Sequence, residues 1–245
     1  MSAGVERIDG GRSSCDAGTP HPGSQELAPP SAELFVHWLG RISFADALKM
    51  QEELVATKRD DRSRPDEIFL LEHEPVYTIG RTPDQSSLRG AGHLPHPLFA
   101  INRGGQATYH GPGQLVGYPI LDLRRYGQDL HRYLRWLEQL LIELLADAGI
   151  AAARREGLTG VWVKNRQSSS DRKIASIGVG VRQWITMHGF ALNVSGDLSP
   201  FSHITPCGIA DVTMTSMEKE AGRAFSLIDV AKEFETLVLG RLDDL

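Results

Sequence analysis

The chain has 245 residues, of which 41% are hydrophobic and 23% charged, so it carries enough apolar material for a packed core and wholesale disorder is excluded. Its 26 Lys and Arg are outnumbered by 31 Asp and Glu, and the formal net charge of −5 excludes the strongly basic surface typical of nucleic-acid-binding domains. No run approaches the roughly 18 consecutive apolar residues of a membrane helix.

The two cysteines, Cys15 and Cys207, bear on the cellular compartment. Cys15 lies in a stretch without structural signals, so a disulfide between them is not expected, and isolated thiols are typical of a reducing compartment. The N-terminal stretch has no apolar segment for a secretory signal and contains acidic residues, which organelle transit peptides avoid. The sequence therefore predicts a soluble, cytoplasmic protein that binds neither membrane nor nucleic acid.

Several segments predict no regular structure, among them a loop over residues 82–98. Residues 1–31 are rich in Gly, Ser and Pro and predict a flexible N-terminal tail, because this composition cannot bury enough apolar surface to become ordered. Residues 165–172 are polar and Ser-rich and predict a mobile hairpin loop. The remainder, residues 32–245, predicts one folded domain.

The first half of that domain predicts a strand, a helix and a second strand. The strand covers residues 34–39 and is expected to end at Gly40. Ser43 is predicted to cap a helix that continues to about residue 58, because apolar side chains recur at three-to-four spacing. The short apolar run over residues 68–73 predicts a buried strand.

The second half predicts another helix–strand pattern. Asp129 opens the strongest helix signal, which continues to about residue 149, and Ser226 is predicted to cap a final helix. Three strand-like runs lie between them, over residues 160–163, 174–181 and 184–194. Because strands and helices do not alternate strictly, the pattern favours a single α+β domain over a Rossmann fold.

A glycine-rich segment over residues 103–114 carries the densest set of special residues. Its four glycines allow close backbone approach to a ligand, although a simple turn between strands explains the composition equally well. The segment matches neither nucleotide-binding glycine motif, so a phosphate loop is not supported.

Cys207 and Lys173 are the candidate reactive groups. Pro206 and Gly208 predict a sharp turn that presents the Cys207 sulfur, whereas free cysteines are more often small buried hydrophobes. Lys173 opens an apolar strand, where a lysine is ordinarily a solvated edge charge. Buried beside Cys207, it would instead stabilise a thiolate or carry a proton.

The strand around His188 predicts one face with His188, Phe190 and Leu192 and a second face with small residues. The small face could line a slot for an alkyl chain or could let a helix pack closely, and the pattern does not separate these alternatives. The histidines show no metal-ligand spacing, so no metal site is predicted.

Five segments together resemble the lipoyl(octanoyl) transferase family, the octanoyl-[acyl-carrier-protein]:protein N-octanoyltransferases. They occur in that family's order over roughly residues 33–220, and they are residues 71–81, 103–114, 173–178, 188–193 and 206–208. The resemblance implies an α+β fold shared with biotin and lipoate protein ligases, in which helices flank a mixed β-sheet.

The resemblance also implies the site residues. Cys207 would be the acyl-thioester nucleophile and Lys173 the residue that lowers the pKa of its thiol. No cofactor or metal is implied. The acyl group would bind to Arg103, Gly104, Gly105, Gln106, Ala107, Thr108, Tyr109, His110, Ser176, Ile177, Gly178, Gly189, Phe190 and Ala191.

The implied activity is octanoyl transfer, the first step of lipoate cofactor assembly, by a monomer. The donor would be octanoyl-acyl carrier protein, and the acceptors would be lipoyl domains of 2-oxoacid dehydrogenase E2 subunits and the glycine cleavage H protein. The alternatives are an ATP-dependent lipoate or biotin protein ligase, a non-catalytic module that binds carrier or lipoyl domains, and a cysteine hydrolase.

Because partners in this family are typically acidic, we also expect a basic docking rim despite the net negative charge of the chain. The arginines expected to form it are Arg81, Arg103, Arg124, Arg125 and Arg172.

Overall fold

The fold is organised around one long mixed β-sheet. A computed structural model of the protein describes residues 33–82, 84, 86–88, 94–164, 171–208 and 212–245, except for the side chain of residue 207. The predicted N-terminal tail, Cys15 and most of the predicted loop over 165–172 lie outside the described residues.

The strands, in chain order, are β1 (Leu34–Ile42), β2 (Asp66–His73), β3 (Val76–Ile79), β4 (Leu98–Ala100), β5 (Thr108–His110), β6 (Gln114–Ile120), β7 (Ala152–Arg155), β8 (Leu158–Val163), β9 (Arg172–Arg182), β10 (Ile185–Asn193) and β11 (Thr213–Met214). The α-helices are α1 (Phe44–Asp60), α2 (Leu130–Asp147), α3 (Met217–Ala221) and α4 (Leu227–Gly240). Short 3-10 turns occupy Leu123–Tyr126, Ser199–His203, Pro206–Gly208 and Leu242–Asp244.

In the described part of the chain the main sheet has eight strands, in the order β1-β2-β6-β10-β9-β8-β7, with β11 beside β9. The β1–β2 and β9–β11 pairs are parallel and the other pairs are antiparallel. A second, three-stranded sheet has the order β4-β3-β5. This mixed architecture, which lacks a doubly wound parallel sheet, confirms the predicted α+β class.

Helices cover both faces of the main sheet. Side chains of α2 and α4 and inward side chains of the central strands together supply most of the larger hydrophobic cluster. Helix α1 packs on the opposite face, against β2, β6 and β10. A third cluster lies at the small sheet and includes Tyr77, Tyr109 and Phe201. Within the described ranges, no helix combines the length and apolarity needed to cross a bilayer.

The predicted helix starts are confirmed because capping is a local property. The Ser43 hydroxyl accepts a hydrogen bond from the Asp46 amide, and the Asp129 carboxylate accepts from two amides of the first turn of α2. Ser226 caps α4 in the same way. The predicted end of β1 at Gly40 is wrong: Gly40 has a φ of +65°, and an irregularity between Trp38 and Arg41 lets the strand continue.

Candidate active site

A cavity of about 210 Å³ lies between the glycine-rich segment and the β9–β10 hairpin. Most of the predicted site residues line it, namely Arg103, Gly105, Gln106, Thr108, His110, Lys173, Ser176, Ile177, Gly178, Gly189, Phe190 and Ala191. The structure therefore brings three separate segments of the sequence to one cavity.

Three of the predicted acyl-binding residues do not line this cavity. Ala107 and Tyr109 pack instead in the hydrophobic cluster at the small sheet. The Gly104 amide donates a hydrogen bond to the Val179 carbonyl at 2.9 Å, which ties the glycine-rich segment to β9. These three residues contact neighbouring elements and do not line the cavity.

Close backbone contact explains why the elements packed against the glycine-rich segment carry glycine themselves. A Cβ atom at Gly80 would collide with the backbone carbonyls of residues 103–105. One at Gly178 would lie 3.0 Å from the Arg103 Cδ atom. The glycine-rich segment thus lies directly on β9 and the end of β3. It also connects β4 to β5 and β5 to β6, so the simpler prediction of a turn between strands describes its place in the chain.

Arg103 is buried and fixes the segment from within. Its guanidinium donates hydrogen bonds to the Thr78 hydroxyl at 2.9 Å, the Thr78 carbonyl at 3.1 Å and the Gly104 carbonyl at 2.9 Å. The fork geometry of arginine lets one side chain hold β3 and the glycine-rich segment together.

His110 is held by the side-chain amide of Gln114. The Gln114 side-chain amide donates to the Asn193 oxygen at 2.9 Å and to the Tyr109 carbonyl at 3.3 Å, so its own oxygen faces His110. His110 Nδ1 therefore donates to that oxygen, at 2.7 Å. Burial lowers the pKa of His110 to about 3, which keeps the ring neutral near pH 7.

His73 and Tyr118 form a second buried pair beside the cavity. His73 Nδ1 lies 3.1 Å from the Ile42 carbonyl and must donate to it, so Nε2 accepts from the Tyr118 hydroxyl at 2.7 Å. Burial lowers the pKa of His73 to about 4 and raises the pKa of Tyr118. Sequence patterns missed Tyr118 as a lining residue, because a tyrosine inside a buried strand carries no distinguishing signal.

His188 breaks the predicted alternation of its strand. Its φ is 58°, its amide donates to the Gln51 side chain at 2.8 Å, and its ring meets Tyr118 edge-on. Phe190 instead contacts Phe234 on the α4 side, so the expectation that both rings share one face is wrong. The left-handed backbone at His188 turns its side chain toward the cavity, and burial lowers its pKa to about 4.

The small residues of β10 lie beside the cavity and beside neighbouring backbone. Gly189 lines the cavity, and a Cβ atom at Gly189 would collide with the Gly117 carbonyl of the neighbouring strand. Ala191 packs in the cluster that contains Ala47 and Val55 of α1, so this strand also meets a helix.

Lys173 is buried, with 1% of its surface exposed, so the interpretation as a solvated edge charge is wrong. Its Nζ donates to the Thr159 carbonyl at 3.1 Å and lies 5.0 Å from the centre of the Trp162 ring. Gly160 permits this position, because a Cβ atom there would lie 2.8 Å from the Lys173 Cε atom. Sequence analysis missed Thr159, which contributes only its backbone.

Cys207 occupies the middle of the 3-10 turn Pro206–Gly208, as the flanking proline and glycine predict, and its side chain lies outside the described part of the structure. Gly208 has a φ of +69°, and a Cβ atom there would collide with the Gln106 amide. The Cys207 turn therefore directly adjoins the glycine-rich segment.

Ser87 joins the same two elements from the side. Its carbonyl accepts a hydrogen bond from the Thr205 amide at 2.8 Å, and its hydroxyl accepts from the Ala107 amide at 3.2 Å. Sequence analysis assigned this buried serine to a loop and missed its bridging role.

The predicted basic rim is wrong in most of its members. Arg124 pairs with Asp122, Arg125 with Asp66 and Arg172 with Glu220, while Arg103 is buried. Their charges serve internal contacts. Arg81 and Arg124 are both exposed, and the Arg81 guanidinium donates to Asn102.

The described residues contain no group of three or more His, Cys, Asp or Glu side chains arranged to hold a metal ion.

Comparisons with known proteins agree on one family. Residues 43–237 match the family model described as the lipoyl protein ligase A/B catalytic domain. The octanoyltransferase of Geobacter sulfurreducens is 50% identical over 194 residues, covering 78% of this chain and 77% of the relative. That of Geotalea uraniireducens is 48% identical over 206 residues, covering 84% and 92%.

Solved structures agree on the fold. A bipartite lipoate protein ligase from Thermoplasma acidophilum matches with a TM-score of 0.56 and 16% identity, covering 86% of this chain and 83% of that one. P. falciparum LipL1 in complex with lipoate matches with a TM-score of 0.59 and 13% identity, covering 88% and 65%. The predicted likeness to lipoate protein ligases is thus confirmed at the level of fold.

Proposed function

The chain belongs to the lipoyl protein ligase A/B catalytic-domain family and transfers octanoyl groups in lipoate assembly, and we propose that it does so through a thioester on Cys207. It is an acyltransferase that takes its acyl group from a donor and delivers it to a lipoyl domain. The family was predicted from the five sequence motifs.

The burial of Lys173 in the wall of the cavity carries the proposal. Only 1% of the Lys173 surface is exposed, and burial of an ammonium costs solvation energy. A functional role would explain why the protein buries this lysine. The Cys207 turn adjoins the same cavity wall through Gln106. An ammonium in this position would stabilise a thiolate and could then exchange protons with reacting groups.

The transfer has two steps. The Cys207 thiolate attacks the donor thioester carbonyl, the bond to the donor sulfur breaks, and the departing thiolate takes a proton from Lys173. The amine of the acceptor lysine then attacks the enzyme thioester, an amide bond forms, and Cys207 leaves as a thiolate while Lys173 accepts the proton. Dividing the transfer in this way means that the two protein substrates need not bind together.

The cavity suits an octanoyl chain. Ile177, Phe190 and Ala191 give its wall an apolar surface, while Gly105 and Gly178 let the chain approach the backbone. Neutral His110 and His188 add no charge that a hydrocarbon would have to desolvate. These contacts support the proposed acyl-binding role of the lining residues.

We propose specific donor and acceptor proteins for the transfer. The donor is octanoyl-acyl carrier protein, and the acceptors are lipoyl domains of 2-oxoacid dehydrogenase E2 subunits and the glycine cleavage H protein. The enzyme acts as a monomer in the cytoplasm, where a reducing environment keeps a thiolate nucleophile available.

A transfer assay without ATP tests this function. The protein is incubated with octanoyl-acyl carrier protein and a lipoyl domain, and the mass of the lipoyl domain is recorded. Wild type and Cys15→Ala should add one octanoyl group to the domain, whereas Cys207→Ala should not. Transfer by Cys207→Ala at the wild-type rate, or transfer that requires ATP and free octanoate, would contradict the proposal.

A further inference from the structure

We propose that Glu138, on helix α2 and outside the cavity wall, is a positioning residue that holds Lys173 in place through the Thr159–Gly160 peptide group. This inference rests on the proposed role of Lys173 as the proton carrier for Cys207.

One peptide group connects the two side chains. Glu138 Oε1 accepts a hydrogen bond from the Gly160 amide at 3.0 Å, and the Thr159 carbonyl accepts one from Lys173 Nζ at 3.1 Å. That amide and that carbonyl are the two polar ends of a single planar unit. A shift of the carboxylate therefore moves the acceptor of the lysine.

The same arrangement strengthens the bond to Lys173. A negative charge at the N–H end of a peptide polarises its carbonyl, so the oxygen becomes a better acceptor for an ammonium. Glu138 is fully buried, and the low-polarity surroundings reduce the screening of this effect.

Lys173 is confined from other sides as well. Its ammonium lies over the Trp162 ring, and Gly160 supplies the space that a larger residue would occupy. Gly160 has a φ of +122°, a conformation that L side chains rarely adopt. The Thr159–Gly160 peptide is thus shaped for the lysine, and Glu138 fixes its orientation.

Two arginines hold the buried carboxylate in place. Arg135 Nη1 donates to Glu138 Oε2 at 2.5 Å and Arg154 Nε donates to the same oxygen at 3.1 Å. The other oxygen is directed at Gly160. A purely structural ion pair explains the contacts of Oε2 with the two arginines. It does not explain the hydrogen bond between Oε1 and the Gly160 amide.

The experiment measures the rate at which octanoyl-acyl carrier protein acylates Cys207, by intact mass, together with the unfolding midpoint of each variant. Glu138→Leu removes both the charge and the acceptor for Gly160, and Glu138→Gln restores an uncharged acceptor. Arg154→Gln is the matched control, because it removes a partner of the same carboxylate and leaves the bond to Gly160. Rates are corrected for the folded fraction.

We expect Glu138→Leu to slow acylation roughly 10- to 100-fold, as small misplacements of catalytic groups do, and Glu138→Gln to recover part of the loss. Arg154→Gln should lower the unfolding midpoint and leave the acylation rate within about twofold. A Glu138→Leu rate equal to wild type would overturn the inference.

A double-mutant comparison separates positioning from general damage. Glu138→Leu and Glu138→Gln are each repeated in the Lys173→Ala background at about pH 9.5. An ordinary thiol with a pKa of about 8.5 is ionised at that pH without help from a lysine, so residual acylation is measurable. If Glu138 acts through Lys173, Glu138→Leu has no further effect in that background. An equal loss in both backgrounds would overturn the inference while leaving the thioester route intact, whereas absence of any adduct on wild type would overturn both.

Discussion

Three buried histidines, His73, His110 and His188, cluster with Tyr118 beside the cavity. Burial is the largest cause of the low pKa of each, about 4, 3 and 4 respectively. In the unfolded chain each ring titrates near 6.5. Between the folded-state pKa of each histidine and about pH 6.5, the folded protein therefore binds fewer protons than the unfolded chain.

This difference makes the stability depend on pH. Because each folded-state pKa is depressed, the contribution of each histidine is fully present above about pH 6.5. It is lost as the pH falls toward 4 for His73 and His188 and toward 3 for His110. Each ring should contribute a slope of about 1.4 kcal/mol per pH unit to the free energy of unfolding within that window. Urea unfolding at stepped pH measures the slope.

His188→Asn isolates one of these contributions. Asparagine tolerates the left-handed backbone at this position, where φ is 58°, and does not titrate. The variant should lose the slope of one histidine, and His203→Asn, at an exposed position, is the control. An unchanged slope in His188→Asn would contradict the assignment of a buried, neutral ring.

At the scale of elements, the cavity depends on the distance between the glycine-rich segment and β9. Gly178→Ala would place a methyl group 3.0 Å from Arg103 Cδ and 3.2 Å from the Gly104 carbonyl. One of these groups must shift, so the segment should move away from β9. We expect weaker donor binding, seen as a raised KM for octanoyl-acyl carrier protein.

Gly104→Ala provides the comparison for this variant. A Cβ atom at Gly104 would lie 3.8 Å from the Val179 carbonyl, an ordinary contact, so the same chemical change should raise KM much less. If both variants bind the donor equally well, the close approach of segment and strand does not govern the cavity.

The sequence predicted those elements whose signals are local. Caps at Ser43, Asp129 and Ser226 and the periodic helices behind them could be located because each signal lies within a few residues. The short strands Val76–Ile79 and Ala152–Arg155 were missed, because four residues carry too little periodicity. The continuation of β1 past Gly40 depends on pairing with a distant strand.

The site residues show the same difference between local and long-range signals. Cys207, Lys173 and the glycine-rich segment were predicted through their motifs, while Glu138, Thr159 and Ser87 act through backbone groups or long-range contacts that leave no pattern. The wrong docking rim has a similar origin, since composition does not reveal that Arg125 pairs with Asp66 inside the molecule.

At the scale of the whole molecule, a buried ionic cluster joins the end of α1, the start of β2 and the Leu123–Tyr126 turn. Lys58 and Asp66 are both fully buried and 2.7 Å apart, and Tyr126 donates to the same carboxylate at 2.8 Å. Burial is the largest cause of the lowered pKa of Lys58, and Asp66 opposes it.

Asp66→Asn should destabilise the protein by about 3–5 kcal/mol, because removing one partner leaves a buried ammonium uncompensated. Glu53→Gln, which breaks the exposed pair with Lys49, should cost less than about 0.5 kcal/mol. Urea unfolding near pH 7 measures both. Equal effects of the two substitutions would show that the cluster is not the stabilising junction described above.

The most direct test of the thioester route is the intact mass of the enzyme after incubation with octanoyl-acyl carrier protein and no acceptor. Wild type and Cys15→Ala should each gain one octanoyl group, Cys207→Ala should gain none, and addition of a lipoyl domain should clear the adduct. An adduct that persists in Cys207→Ala, or acceptor octanoylation that proceeds without any enzyme adduct, would contradict the account.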